Sequence, residues 1–230
     1  MQMTEHICEV FRSPLRDIEI FDQSMIEWLI KFQPTIRSVW IPDGVITSPE
    51  LLDRMLKNLK MMIRFDLGSI KTDETIQIME PISSRSILVW KPYWITLPSI
   101  LNGTNSMIRL YYSKLAPKDI NTILKEWQMG SKLQKLEYLE IKTSLLLDDD
   151  IYANEVLKDL NVTVIDGYDE RPMGVILKDD DDNVEEIHYP SRVERVHNLI
   201  RNDGMIGSIF RSVTYGKTVF FNFQVWRRET

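Results

Sequence analysis

Apolar residues recur along the chain in a six-residue pattern, L-x-x-L-x-L. Leu15, Ile18 and Ile20 carry it first, then Ile36, Val39 and Ile41, then Met62, Phe65 and Leu67. Degenerate copies follow at Ser84, Ile87 and Val89 and at Asn105, Ile108 and Leu110. Leu136, Leu139 and Ile141 close the series. The first positions, 15, 36, 62, 84, 105 and 136, differ by 21, 26, 22, 21 and 31 residues. Most of these spacings fall in the roughly 20–29 residue range of leucine-rich repeats. Each copy predicts a short strand.

Helix signals lie between the strands. Ser24 and Glu27 form a capping-box pattern, with Leu29 and Ile30 continuing its apolar face. Ser48, Pro49 and Glu50 open a second helix, proline standing where a missing N–H costs nothing. Leu51, Leu52, Met55, Leu56 and Leu59 make its buried stripe. Thr72, Asp73 and Glu74 start a short turn with Ile76 and Met79 inward, and residues 97–101 suffice for one helical turn. The strongest helix opens at Pro117, buries Ile120, Ile123, Leu124 and Trp127, and ends at Gly130. Acidic residues 148–150 favour the start of a last helix carrying Ile151, Tyr152, Val156, Leu157 and Leu160.

Strand and helix alternate, which predicts parallel strands with helices on one outer face. One such unit cannot bury its own apolar face, whereas stacked units can. The expected fold is therefore α/β: a leucine-rich-repeat-like solenoid over residues 1–165, with residues 162–165 adding one more strand. From 166 to 230 the pattern becomes antiparallel. Residues 174–177 and 186–189 read as a hairpin around the acidic run at 179–182. Residues 192–200 also score as a helix, but the turn signal at Asn202, Asp203 and Gly204 lies between 196–201 and 205–210 and favours two strands. Gly216 marks another turn. Val219, Phe221, Phe223 and Val225 then alternate on one face of a final strand. This tail is expected to cap the open end of the solenoid, packed on it as one unit.

The net charge of −6, from 34 acidic and 28 basic residues, disfavours nucleic acid or an anionic membrane as the main partner. One cysteine, Cys8, permits no internal disulfide; it sits among Ile7, Val10 and Phe11 and reads as core. The N-terminus shows no signal peptide, and no apolar run reaches the roughly 18 residues of a membrane helix. The cytosol or nucleus is the expected compartment.

Catalytic chemistry is not visible. His6, His188 and His197 have no ligand spacing to one another or to Cys8, and no nucleophile elbow, phosphate loop or dinucleotide motif occurs. Neither cofactor nor metal is expected. The eleven methionines read as core filler, and Trp28 and Trp127 as helix packing. The informative positions lie between the last two apolar residues of each strand, which point away from the helices. They hold Glu19, Trp40, Asp66, Leu88, Arg109 and Glu140; the next such positions hold Phe21, Pro42, Gly68, Trp90, Tyr111 and Lys142. Aromatic residues beside Arg109 have the composition of an interface hot spot. Trp40, Asp66, Trp90, Arg109, Tyr111 and Glu140 are the candidate partner-binding residues. The competing reading is that the tail or a long loop covers the aromatic residues Trp40, Trp90 and Tyr111.

The run from Asp119 through Ile120, Asn121, Thr122, Ile123, Leu124, Lys125 and Glu126 to Trp127, followed by Gly130 and by Leu136, Tyr138, Leu139 and Ile141, resembles the nematode F-box-associated domain. Trp94 to Leu97, Ile200 to Gly204 and the closing Val225 and Trp226 fit the same family. The resemblance implies the substrate-recruiting half of an F-box subunit of a cullin-type ubiquitin ligase. In that family an N-terminal F-box docks on a Skp-type adaptor, and the enzyme activity belongs to other subunits. Residues 4–11 are too short for an F-box, so adaptor docking is expected only where one lies upstream. The alternative is a stand-alone interaction scaffold or decoy without ligase docking. In both, the partner is an unidentified protein.

Overall fold

The computed structural model describes residues 2–11, 13–71, 77–146, 148–166, 172, 174–178, 184–188, 195–214 and 218–227. Strands and helices alternate through the first part of the chain. β1 (Asp17–Glu19), β2 (Thr35–Ile41), β3 (Lys60–Leu67), β4 (Ser86–Trp90), β5 (Met107–Tyr111) and β6 (Tyr138–Thr143) lie side by side in sequence order, every neighbour parallel. Between them run α2 (Gln23–Phe32), α3 (Pro49–Asn58), α4 (Leu97–Leu101) and α5 (Pro117–Met129). A first helix, α1 (Gln2–Phe11), precedes them, and Cys8 on it is half-buried rather than core.

The tail continues the same sheet antiparallel. β12 (Thr218–Trp226) pairs with β6, β11 (Ile206–Thr214) with β12, β10 (Arg195–Ile200) with β11, and β7 (Val162–Asp166) with β10 at the far edge. The result is one mixed sheet of ten strands. The strand expected at 162–165 therefore forms, but with the tail and not beside β6. β8 (Gly174–Lys178) and β9 (Val184–His188) form the separate antiparallel hairpin that the sequence predicts. The β10–β11 hairpin turns at 202–204, with Gly204 at φ 81. The turn at Gly216 and the Ile76 position fall outside the described residues.

Local chemistry explains the helix boundaries, with two corrections. Asp22 caps α2 instead of Ser24: its carboxylate accepts from Ser24 N at 2.7 Å, so the helix starts before the expected box. Glu27 pairs with Arg54 of α3 at 2.6 Å. Met79 is exposed, and Ile78 takes the inward place, held by an isolated parallel bridge to Ile95 outside the sheet. Ser48 does cap α3, accepting from Leu51 N at 3.3 Å. The Asp119 side chain accepts from Ala116 N at 2.9 Å at the start of α5, and Gly130 at φ 71 ends it. The last helix is short. α6 (Asp149–Ile151), capped by Asp148, runs into a π-helical turn at Tyr152–Val156 that buries Tyr152 and Val156.

One apolar cluster joins the helices to one face of the sheet. Ile26 and Leu29, Leu52 and Met55, and Ile120, Ile123, Leu124 and Trp127 meet Val39, Phe65, Ile87, Ile108, Leu139, Phe221 and Phe223. Burying each such side chain contributes about 1.5–3 kcal/mol. Met62 is exposed and Met61 is buried in its place, next to a register break between β2 and β3. Where the repeat is degenerate, polar side chains do the work of the apolar ones. Buried Asn105 donates from Nδ2 to the Ile82 and Ser84 carbonyls at 3.0 and 2.5 Å, and Ser84 Oγ donates to the Ser86 carbonyl at 2.9 Å.

Candidate functional site

The face of the sheet away from the helices is built by the strand pairing. One row runs across it in register: Glu19, Trp40, Asp66, Leu88, Arg109 and Glu140, then Asn222, Phe210, Val196 and Ile165. A second row at the carboxyl ends of the parallel strands aligns Trp90, Tyr111, Lys142 and Phe220. The six candidate residues thus lie on one face, as the alternation of the strands requires.

Their surroundings differ. Trp40 is 46% exposed and Trp90 37%, and Phe21, set edge-on to Trp40 at 6.2 Å, is 65% exposed. Asp66, Arg109 and Glu140 were expected to face outward, yet only 5, 8 and 9% of them is reached by solvent. From β5 toward the tail the face is buried: Met107, Tyr138, Phe210, Val196 and Trp226 are buried and stand apart from the helix-side cluster. Gln224 Nε2 on this half donates to the Pro172 carbonyl at 2.9 Å. Trp40 and Trp90 thus stay partly open to solvent, while Tyr111 is half-buried.

A polar network ties the covered half together. Tyr138 Oη bonds Glu140 Oε2 at 2.9 Å and Asn222 Oδ1 at 2.7 Å. Asn222 Nδ2 donates to the Phe220 carbonyl at 3.0 Å. Trp226 Nε1 donates to Ser208 Oγ at 2.8 Å, and that hydroxyl donates to Asn198 Oδ1 at 2.7 Å. Burial pushes the Tyr111 phenol far up, and the Glu140 carboxylate adds to the shift, so Tyr111 is a neutral hydroxyl at this face.

An aromatic cluster marks the boundary between covered and open halves. Trp90 and Tyr111 meet edge-to-face at 4.9 Å, and Phe220 meets Tyr111 at 6.1 Å. The Lys142 ammonium lies 4.7 Å from the Tyr112 ring, 5.1 Å from Phe220 and 5.8 Å from both Trp90 and Tyr111. Tyr111 and Tyr112 are consecutive and would face opposite sides in extended backbone. Tyr112 instead has φ 62, which brings its ring to 5.9 Å from Trp90. The paired residue Lys91, just after Trp90, has φ 49. Left-handed backbone costs a residue with a side chain about 1–2 kcal/mol. Sequence reasoning missed Tyr112 and Phe220. The tyrosine pair at a strand end was the available signal, whereas the left-handed turn carries no glycine or asparagine to announce it.

The open half holds two adjoining cavities. One of about 540 Å³ lies over β1 to β3 and is lined by Glu19, Ser38, Trp40, Arg64 and Asp66. The other, about 390 Å³, lies between the two indoles over Asp66, Gly68 and Leu88. Arg64 donates from Nε to Asp66 Oδ2 at 2.8 Å, while Asp66 Oδ1 is buried without a hydrogen-bond partner. Among the described residues no group of three or more His, Cys, Asp or Glu could hold a metal ion, and no helix is long and apolar enough to cross a membrane.

Residues 76–141, which contain β4, α4, β5, α5 and most of β6, match the family described as F-box associated. That stretch supplies Trp90, Arg109, Tyr111 and Glu140, while Trp40 and Asp66 lie before it. No curated protein and no solved structure matches the chain.

Proposed function

We propose that this chain is a protein-binding module whose open sheet face holds the partner, and that it serves as the substrate-recognition part of an F-box subunit of a cullin-type ubiquitin ligase. The carrying observation is the pair of half-exposed indoles, Trp40 and Trp90, on a helix-free face whose other half is covered. Such side chains lose solvent contact at little conformational cost when a protein docks, which is why tryptophan is enriched at interface hot spots. The match of residues 76–141 to the F-box associated family supports a protein-interaction role. The ligase setting extends that match.

On this reading residues 1–165 are a leucine-rich-repeat-like solenoid and residues 166–230 its antiparallel cap. The sequential parallel order of β1 to β6 supports the first, and the β12–β6 pairing supports the second. Trp40, Asp66, Trp90, Arg109, Tyr111 and Glu140 form the recognition face, the aromatic residues by contact and the buried charged ones by holding the surface in place. The module works in the cytosol or nucleus, without a cofactor. Co-purification of the full-length gene product with a Skp-type adaptor tests the ligase setting. Stable association is expected, and its absence leaves an interaction scaffold without ligase docking.

A further inference from the structure

We infer that the gap between Trp40 and Trp90 receives an arginine side chain of the protein partner, with Asp66 as its carboxylate. This rests on the reading of the open face as a docking surface and specifies what the partner must present there.

Three observations converge on the gap. The first is the unused acceptor. Asp66 is 5% exposed and shares only Oδ2 with Arg64; Oδ1 is buried with no hydrogen bond. A carboxylate oxygen in that state favours a charged donor that brings its own hydrogen. The second is the position of the tryptophans. Trp40 and Asp66 line both cavities and stand opposite each other on β2 and β3. From strand spacing and rise, Trp40 on β2 and Trp90 on β4 are about 12 Å apart between Cα atoms, room for one planar group against an indole face.

The third is charge. Among the described residues the gap is lined by two carboxylates, Asp43 and Asp66, and by no lysine or arginine; Arg64 pairs with Asp66, Lys91 acts on Asp43, and the Lys142 ammonium lies 5.8 Å from the Trp90 ring. Ser69 donates to Asp43 Oδ1 from its backbone N–H at 2.5 Å and from its hydroxyl at 2.9 Å, holding that carboxyl below the usual range and therefore charged. Such a site rejects an acidic or phosphorylated group. Guanidinium fits better than ammonium, because it is planar, stacks on indole and presents several donors in a fixed fork.

The test uses the full chain and a blocked pentapeptide of sequence Gly-Leu-Arg-Leu-Gly, with variants carrying lysine, norleucine or glutamate at the centre. Binding is read from the indole N–H signals of Trp40 and Trp90 by nuclear magnetic resonance. The arginine peptide is expected to shift both signals and to bind about tenfold tighter than the norleucine peptide, the scale of one charge-assisted hydrogen bond. Asp66→Asn should remove that advantage. Trp40→Leu should weaken binding several-fold and, since Trp40 is half exposed, keeps the proposal testable if Asp66→Asn fails to fold. Equal binding of the norleucine or glutamate peptide at these indoles overturns the arginine assignment and leaves the docking face standing. Equal binding of the lysine peptide overturns it also. If no peptide moves either indole, the assignment fails together with the docking reading of this region.

Discussion

Gly207→Ala is expected to destabilise the protein where the tail packs under the last helix of the parallel region. Gly207 lies on β11, on the helix side of the sheet. A methyl group there would stand 2.3 and 2.5 Å from two carbons of the Phe223 ring and 2.9 Å from the Trp127 ring. Neither ring can retreat cheaply. Both are fully buried, they meet edge-to-face at 4.9 Å, and the Arg201 guanidinium lies 5.0 Å from the Trp127 ring. Overpacking of this kind costs about 1–3 kcal/mol. For a chain of this length that corresponds to a fall in melting temperature of roughly 2–4 °C per kcal/mol, or about 4–8 °C for a cost of ~2 kcal/mol. Differential scanning calorimetry reads the shift. Phe223→Leu, which removes the obstructing ring edge, should cost less in the Gly207→Ala background than alone, a coupling that a double-mutant cycle measures. A melting temperature within 1 °C of wild type for Gly207→Ala would refute the close packing of β11 beneath Trp127.

Tyr138→Phe leaves Glu140 Oε2 and Asn222 Oδ1 without their shared buried donor and should cost about 1–3 kcal/mol in urea unfolding; an unchanged midpoint would show that the network adds nothing. Asp203, held by two hydrogen bonds from Arg201, titrates down at about 2. Its folded value lies below the unfolded value of ~3.9, so its contribution is complete above that pH and is lost as pH falls through about 2. Carboxyl carbon resonances should place its midpoint near 2, and a midpoint near 4 would contradict the pairing. Ser48→Ala removes the acceptor of Leu51 N and should lower stability by about 1 kcal/mol, which thermal unfolding would detect. Trp90→Ala should move the melting temperature far less than Trp127→Ala, since only Trp127 is fully buried; equal losses would show that Trp90 is structural.

Much of the frame was legible because period and burial agree. The L-x-x-L-x-L copies located every parallel strand, and their alternation put Trp40, Asp66, Trp90, Arg109, Tyr111 and Glu140 on one face. The limits were those of local information. Ser24 and Glu27 matched a capping box, but Asp22 offered an acceptor nearer the helix start, and Arg54 from the next helix claimed Glu27. β7 looked like the next repeat and instead closes the tail, because pairing with β10 is a long-range choice with no signature in five residues. Asp66, Arg109 and Glu140 read as outward and are buried, because alternation says which face a residue takes and nothing about what covers that face. The Tyr112 ring joins the cluster through a backbone turn that its sequence does not mark.

The central claim is that the partner docks on the open sheet face. A photo-crosslinking residue placed at position 90, and in a separate chain at the outer-face position 126 of α5, tests it in cells that express the natural partner. The account predicts a discrete protein adduct from position 90, abolished by Trp40→Ala, and none from position 126. An adduct from position 126 with none from position 90 would contradict it.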